Sequence, residues 1–223
     1  MKSFTIILAI GIIILISVFL VYKMINEKAA SDEVEKSLEK AYMEKSLQGK
    51  KIAIIIAFRD FKDEEYFIPK NILESAGALI YTISSSLGTA LGSSGGEAEI
   101  DRLLKDLNVS DYDAVLFIGG SGASKYIDDK DSHRVIEQAV DNNKVLGAIC
   151  IAPAILAKAG VLKGKKAAVW SSLMDKSAVK ILKEEGALYL QDSVVIDGKI
   201  ITASGPDYSK EFSEKVIEVL KNE

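Results

Sequence analysis

The chain of 223 residues has one cysteine, one histidine and no run of basic residues. A single cysteine, Cys150, cannot form a disulfide bond within the chain. Together with a single histidine, His133, it also cannot build the Cys/His cluster of a structural zinc site, so no metal is expected. Lys and Arg number 28 against 32 Asp and Glu, which gives a net charge of −4. Nucleic acid is therefore not an expected partner, because its binding depends on clustered positive charge.

The composition is that of a folded chain. Hydrophobic residues make up 48% of the sequence and charged residues 27%. These proportions exclude collagen, a disordered chain and a disulfide-rich scaffold.

A charge-free, strongly apolar segment runs from Phe4 to Tyr22. As a helix it would span roughly 28 Å, which matches the hydrocarbon core of a bilayer. A cleaved signal peptide is the alternative, but its apolar part is usually shorter, and Lys28 stands where the candidate cleavage site needs a small residue. Residues 1–23 are therefore predicted to be an uncleaved anchor of a single-pass membrane protein. The short basic N-terminus favours an extracytoplasmic position for the rest of the chain.

Residues 24–49 are rich in charge and carry a thin apolar stripe at helical spacing, which predicts a helical stalk or linker. Residues 50–223 contain no internal repeat and no low-complexity tract, and they are long enough for one domain with its own core. We expect this part to carry the function.

Within residues 50–223, short runs rich in Ile and Val alternate with amphipathic stretches. The runs predict buried strands, because they lack the polar alternation of a sheet with one face in water. The pattern predicts a doubly wound α/β sandwich with a mainly parallel sheet, whose ligands bind beyond the carboxyl ends of the strands. The predicted strands are 52–58, 79–84, 114–118, 145–149, 167–170 and a hairpin of 194–196 with 199–203; the predicted helices are 66–76, 132–142, 154–159, 176–185 and 207–222.

Cys150 follows the predicted strand 145–149 directly and precedes a helix. This placement predicts a nucleophile elbow, with the sulfur beside a helix N-terminus that favours the thiolate and lowers the pKa of the thiol. The alternative is a buried cysteine that acts as a small hydrophobic residue. Position alone leaves both interpretations open.

Two other segments are predicted to share this edge of the sheet. An acidic cluster, Asp60, Asp63, Glu64 and Glu65, follows the first strand, and one of these carboxylates could reach the sulfur. A glycine-rich run that begins at Gly119 follows the strand 114–118, and its backbone N–H groups could hold an oxyanion. It matches neither a dinucleotide-binding loop nor a Walker loop, so no cofactor is predicted.

Two further candidates are discounted. The segment 92–96 matches the G-x-S-x-G pattern of serine hydrolases, but residues 84–96 read as a loop with no strand leading into it. His133 lies on a predicted helix that packs on a face of the sheet, so it does not point toward the carboxyl edge of the sheet.

Four ordered segments together resemble the ThiJ/PfpI superfamily, over about residues 50 to 221. Residues 148–153, AICIAP, resemble its cysteine elbow, and residues 61–69, FKDEEYFIP, resemble its acidic segment. Residues 117–120, FIGG, and 195–206, VIDGKIITASGP, resemble its glycine loop and its C-terminal hairpin. The resemblance implies a flavodoxin-like fold.

By this resemblance, Glu65 is the buried acid that lies beside Cys150, and the pair is the predicted catalytic centre. The backbone N–H groups of Gly120 and Ile151 are the predicted oxyanion donors. Asp60, Asp63 and Glu64 are expected to face solvent. The chain departs from the superfamily where Ile151 and Trp170 replace the histidines of other members, which leaves no histidine as a base.

The leading hypothesis is a membrane-tethered enzyme that acts on small reactive carbonyls, as glyoxalases and deglycases of the superfamily do. A Cys/Glu pair can add a thiol to an activated aldehyde while Glu65 moves the proton. The second hypothesis is a non-enzymatic redox or stress sensor or chaperone, in which Cys150 is oxidised to a sulfinate. A cysteine peptidase is third, because acyl transfer normally relies on a Cys/His pair. Association into a homo-oligomer stays open.

Overall fold

The computed structural model describes residues 22–25, 28 and 46–222. Two compact units divide the chain, Met1–Glu44 and Lys45–Glu223, and nearly all described residues belong to the second. The predicted boundary between stalk and domain, at residues 49 and 50, stays a prediction. Leu47, just before it, is fully buried, and its N–H donates to Ala76 O at 2.8 Å.

The membrane location predicted from the N-terminal segment is corrected. Across the described residues, no helix is long and apolar enough to cross a bilayer. A span needs about 20 apolar residues in one helix, whereas the described helical stretch at this end of the chain covers residues 22–25. Residues 1–21 of the predicted anchor lie outside the described residues.

The second unit is an α/β sandwich built on a seven-stranded sheet. Its strands are β1 (Lys51–Ile55), β3 (Leu79–Ser84), β6 (Arg102–Leu103), β7 (Ala114–Phe117), β8 (Val145–Ile149), β11 (Val194–Asp197) and β12 (Ile200–Ala203). The order across the sheet is β11-β12-β8-β7-β1-β3-β6, and every neighbouring pair is parallel except β11 with β12. The prediction of a doubly wound, mainly parallel α/β fold is confirmed.

Helices cover the sheet in two groups. The five α-helices of this unit are α1 (Asp63–Ser75), α2 (Lys130–Asp141), α3 (Pro153–Lys158), α4 (Ser177–Glu184) and α5 (Ser209–Lys221). α1 packs with α5, while α3 packs with both α2 and α4. All residues of β7 and β8 are buried as a result, which explains why these strands read as continuous apolar runs.

The segment after β3 differs from the prediction of a loop over residues 84–96. β4 (Gly88–Gly92) and β5 (Glu97–Ile100) form an antiparallel hairpin, and β2 (Arg59–Phe61) pairs with β4 to complete a small three-stranded sheet. Glycine and serine dominate the turn between β4 and β5, so the sequence pattern did not show the strands. The predicted strand 167–170 is also shorter, because only β9 (Lys166–Ala167) pairs, with β10 (Leu188–Tyr189).

Candidate active site around Cys150

Cys150 lies on a sharp turn between β8 and α3, as the sequence predicts. Its backbone is left-handed, with a φ of 64°, which is uncommon for a residue other than glycine and occurs where the surroundings impose it. Two hydrogen bonds hold this backbone: Cys150 N donates to Ala203 O at 2.9 Å, and Trp170 N donates to Cys150 O at 2.8 Å. The turn therefore directs the Cys150 side chain away from the direction of the strand. Cys150 is 8% exposed.

The sulfur lies between the two predicted backbone donors. The N–H groups of Gly120 and Ile151 face the Cys150 side chain, and both act to lower the pKa of the thiol. Gly120 has a φ of 97°, and a Cβ at this position would lie 2.5 Å from Asp60 O and 2.5 Å from Lys62 N. Only glycine fits there, so the donor at residue 120 depends on the absence of a side chain.

Glu65 is brought to the same place by the first turn of α1. Its side chain is fully buried, and Oε2 accepts a hydrogen bond from Gly119 N at 3.1 Å. Oε1 is buried and has no hydrogen-bond partner of normal geometry among the described residues. Burial raises the pKa of Glu65 to about 7, although the nearby Cys150 thiol and Gly119 N–H act to lower it.

The predicted lowering of the Cys150 pKa is wrong in this structure. Burial and the charge of Glu65 raise the pKa of the thiol to about 12, and they outweigh the two N–H donors at the sulfur. A carboxylate beside a thiolate is a like-charge pair, so the two groups titrate as a coupled unit. Above neutral pH, the state with a neutral thiol beside an ionised carboxylate is therefore favoured.

Gly119 has a role at the site that the sequence analysis did not predict. A Cβ on residue 119 would lie 2.5 Å from the Cys150 Cβ and 2.8 Å from Glu65 Oε2. No ordinary side chain fits in this space, so residue 119 lets the acid and the thiol approach each other. Two adjacent glycines directly after a buried strand could have indicated this close approach. The sequence analysis assigned a specific role only to the second of them, as an oxyanion donor.

The solvent exposure of the other three acidic residues differs in part from the prediction. Asp60 and Glu64 are exposed as expected, and Glu64 pairs with Lys62 at 3.1 Å. Asp63, in contrast, is buried, because its carboxylate accepts hydrogen bonds from the backbone of the turn between β4 and β5. The expectation that Asp63 faces solvent is wrong.

Residues 50–219 match the DJ-1/PfpI family. The chain belongs to this family. It is 35% identical over 177 residues to a protein of Methanocaldococcus jannaschii, covering 79% of this chain and 85% of the relative. The glutathione-independent glyoxalase DJR-1.2 of Caenorhabditis elegans is 27% identical over 172 residues, which cover 77% of this chain and 89% of that protein.

A solved structure shows the same fold. The ThiJ/PfpI domain protein from Brachyspira murdochii superposes with a TM-score of 0.75 at 32% identity, and the match covers 79% of this chain and 99% of that one. This similarity confirms the flavodoxin-like DJ-1/PfpI fold that the sequence resemblance implied.

In this DJ-1/PfpI domain, a pocket of about 490 Å³ opens beside the cysteine. Most of its described lining is apolar, and Asp175 is the one charged residue that lines it. The apolar lining residues are Ile127, Ile151, Ala154, Trp170, Ala178 and Ile181. We call this space the Cys150 pocket. A small uncharged molecule fits its size and lining.

The single histidine of the chain lies elsewhere. His133 is on α2, and its Nε2 lies 2.7 Å from Ile127 O. It is not among the described residues that line the Cys150 pocket. Trp170, which the sequence resemblance places where a histidine was expected, lines the same pocket as Cys150, and the carboxyl that acts on the thiol is that of Glu65.

Proposed function

We propose that this DJ-1/PfpI domain is a cofactor-independent enzyme that converts small 2-oxoaldehydes to 2-hydroxy acids through Cys150 and Glu65. One observation carries the proposal: a fully buried carboxyl with a pKa raised to about 7 lies against the sulfur of an elbow cysteine. Such a carboxyl changes its charge near neutral pH, as a general base must.

The first step joins the substrate to the enzyme. The Glu65 carboxylate accepts the thiol proton as the sulfur attacks the aldehyde carbon. The aldehyde oxygen becomes an oxyanion that the N–H groups of Gly120 and Ile151 stabilise, and it then takes the proton from Glu65. The product is a hemithioacetal on Cys150, and the carboxylate is restored. A neutral thiol with a raised pKa suits this step, because the base acts while the S–C bond forms.

The second step is an internal proton transfer. Glu65 removes the proton on the former aldehyde carbon, and an enediolate forms. Return of a proton to the neighbouring carbon gives a thioester, so one carbon is oxidised while the other is reduced. Water then hydrolyses the thioester, which releases the 2-hydroxy acid and the thiol. No external oxidant, reductant or cofactor is needed for this balance.

The test is consumption of methylglyoxal by the full-length protein. We expect Cys150→Ser and Glu65→Gln to lose at least about 100-fold in kcat/KM, because each removes a group that takes part in proton or bond transfer. Glu64→Gln, a matched change on the exposed neighbouring residue, is expected to retain activity. The proposal is wrong if the wild type consumes no 2-oxoaldehyde, or if Cys150→Ser is as active as the wild type. Casein digestion, run in parallel, tests the peptidase alternative.

A second candidate function rests on the unpartnered Oε1 of Glu65. Two peroxide molecules would convert the Cys150 thiol to a sulfinate, with release of two water molecules. A protonated Glu65 would donate to one sulfinate oxygen, while the N–H groups of Gly120 and Ile151 would donate to the other. For this sensor hypothesis, mass spectrometry after peroxide treatment should show a gain of two oxygens that Cys150→Ser abolishes.

A further inference from the structure

A second cavity, of about 360 Å³, lies at the carboxyl end of the sheet. Its lining includes Ala57 and Ser85, which come just after β1 and β3. β1 is also where the strand order reverses, since β3 pairs on one side of it and β7 on the other. Ligands of doubly wound sheets bind at such a reversal, beyond the carboxyl ends of the strands. The cavity is therefore placed where this type of fold holds ligands.

Two cationic side chains line this cavity, Arg59 and Lys125. Within the described residues, neither forms a salt bridge with a carboxylate, although nine such bridges are found elsewhere in residues 46–222. The guanidinium carbon of Arg59 lies 5.4 Å from the centre of the Phe58 ring. This contact restricts the guanidinium, and its N–H donors remain available to a ligand.

One carboxylate, Asp129, also lines the cavity, and it forms hydrogen bonds at the N-terminus of α2. Asp129 Oδ2 accepts hydrogen bonds from Ser132 N and Ser132 Oγ, both at 2.8 Å, and caps the N-terminus of α2. Ser85 and Ser86 add two hydroxyl groups to the lining. The cavity thus combines two cations outside any salt bridge of the described residues, two serine hydroxyl groups, of which Ser85 also interacts with Tyr126, and one carboxylate with one of its oxygens engaged.

We propose that this cavity binds a small oxyanion. We call it the Arg59 pocket and define its binding groups as Arg59, Lys125, Ser85 and Ser86. Phosphate and carboxylate groups share the chemistry that the pocket offers, because both accept paired hydrogen bonds from a guanidinium and charge-assisted bonds from an ammonium. The ligand is then either a phosphorylated molecule or an organic acid.

The Arg59 pocket is separate from the Cys150 pocket. A short 3-10 helix, Ser121–Tyr126, contributes to both. Ser121 and Ser124 line the Cys150 pocket, whereas Lys125 and Tyr126 line the Arg59 pocket. Anion binding therefore does not depend on the function proposed for Cys150.

The test is a titration of the full-length protein with inorganic phosphate, and in a second arm with acetate, at constant ionic strength. We expect saturable shifts in the amide resonances of Ser85, Ser86 and Gly122, which border the pocket. The anion that binds more tightly identifies the ligand as phosphorylated or carboxylic. Arg59→Gln and Lys125→Gln should each weaken binding at least about fivefold, since each removes a charge-assisted hydrogen bond.

Lys105→Gln is the matched control, because it removes an equal charge from an exposed residue outside both pockets. It should bind phosphate as the wild type does, and Cys150→Ser should as well. Shifts that rise linearly without saturation overturn the proposal. So does an equal loss in Lys105→Gln, which would show general charge attraction, or a loss in Cys150→Ser, which would place the anion in the Cys150 pocket.

Discussion

Glu65 and Cys150 meet across the backbone of Gly119. The N–H of Gly119 donates to Glu65 Oε2 at 3.1 Å, and a Cβ on this residue would lie 2.8 Å from that oxygen and 2.5 Å from the Cys150 Cβ. The distance between acid and thiol is thus limited by a residue that takes no part in the chemistry. A methyl group there must push the two apart or displace the loop.

Gly119→Ala tests this relationship. The added methyl overpacks a buried site, so we expect the free energy of unfolding to fall by about 1–3 kcal/mol. The rate of methylglyoxal consumption should fall at least about tenfold, since small displacements of reacting groups are costly. Urea unfolding and steady-state kinetics measure the two effects. Full activity in this variant would show that the close approach is not needed.

The raised pKa of Glu65 makes stability depend on pH. The folded protein binds this proton more tightly than the unfolded chain, because the pKa rises from 4.5 to about 7 on burial. The free energy of unfolding should therefore fall as pH increases between these values, by about 3 kcal/mol for this group, and then level off. Urea unfolding at pH 5 and pH 7.5 measures the change.

The matched variants for this pH effect are Glu65→Gln and Glu64→Gln. Glu65→Gln removes the titrating group, so most of the fall between pH 5 and pH 7.5 should disappear. Glu64→Gln should keep the wild-type dependence, because Glu64 is exposed. If the two variants behave alike, Glu65 is not the source of the pH dependence.

Asp63 fixes the turn between β4 and β5. Its carboxylate accepts from Ser94 N at 2.8 Å and from Gly96 N at 2.6 Å. Burial acts to raise the pKa of Asp63, but these N–H donors outweigh it and lower the pKa. Asp63→Asn turns an amide toward an N–H donor, so we expect a loss of about 2 kcal/mol in the free energy of unfolding. Glu64→Gln, the control, should change the free energy of unfolding by less than about 0.5 kcal/mol.

The Cys150 pocket predicts a substrate preference. Its lining is mostly apolar, and Asp175 is its one charged residue among those described. Phenylglyoxal and 4-carboxyphenylglyoxal carry the same 2-oxoaldehyde group, but the second adds a carboxylate that Asp175 repels and the apolar walls do not solvate. We expect kcat/KM to be at least about tenfold higher for phenylglyoxal. Asp175→Asn should narrow this ratio, and equal rates for both aldehydes would contradict the predicted preference.

Much of the fold could be predicted because its signals are local. The buried strands β7 and β8 lack polar alternation, and the turn at Asp197 and Gly198 marks the hairpin of β11 and β12. Cys150 could be placed on an elbow for the same reason, since it directly follows an apolar run. Glu65 required the family resemblance, because the sequence alone does not distinguish four acids that lie within six residues.

What the sequence could not show depends on packing between distant segments. Asp63 is buried because the turn at Ser94 and Gly96 folds over it, 31 and 33 residues further along the chain. The raised pKa of Cys150 follows from burial and from the Glu65 charge, whereas position at a helix N-terminus alone indicated a lower pKa. Secondary-structure propensity and residue spacing do not show how deeply a group is buried or how far apart two charges lie in the folded chain.

The most direct test of the Cys150–Glu65 pair is the rate of iodoacetamide alkylation of Cys150 as a function of pH, in the wild type, Glu65→Gln and Glu64→Gln. The Glu65 charge raises the pKa of the thiol, so replacing it with a neutral amide should move the alkylation midpoint to lower pH by at least about one unit. Glu64→Gln should keep the wild-type midpoint. An unchanged midpoint in Glu65→Gln, or the same shift in both variants, would contradict the coupled pair on which the proposed mechanism depends.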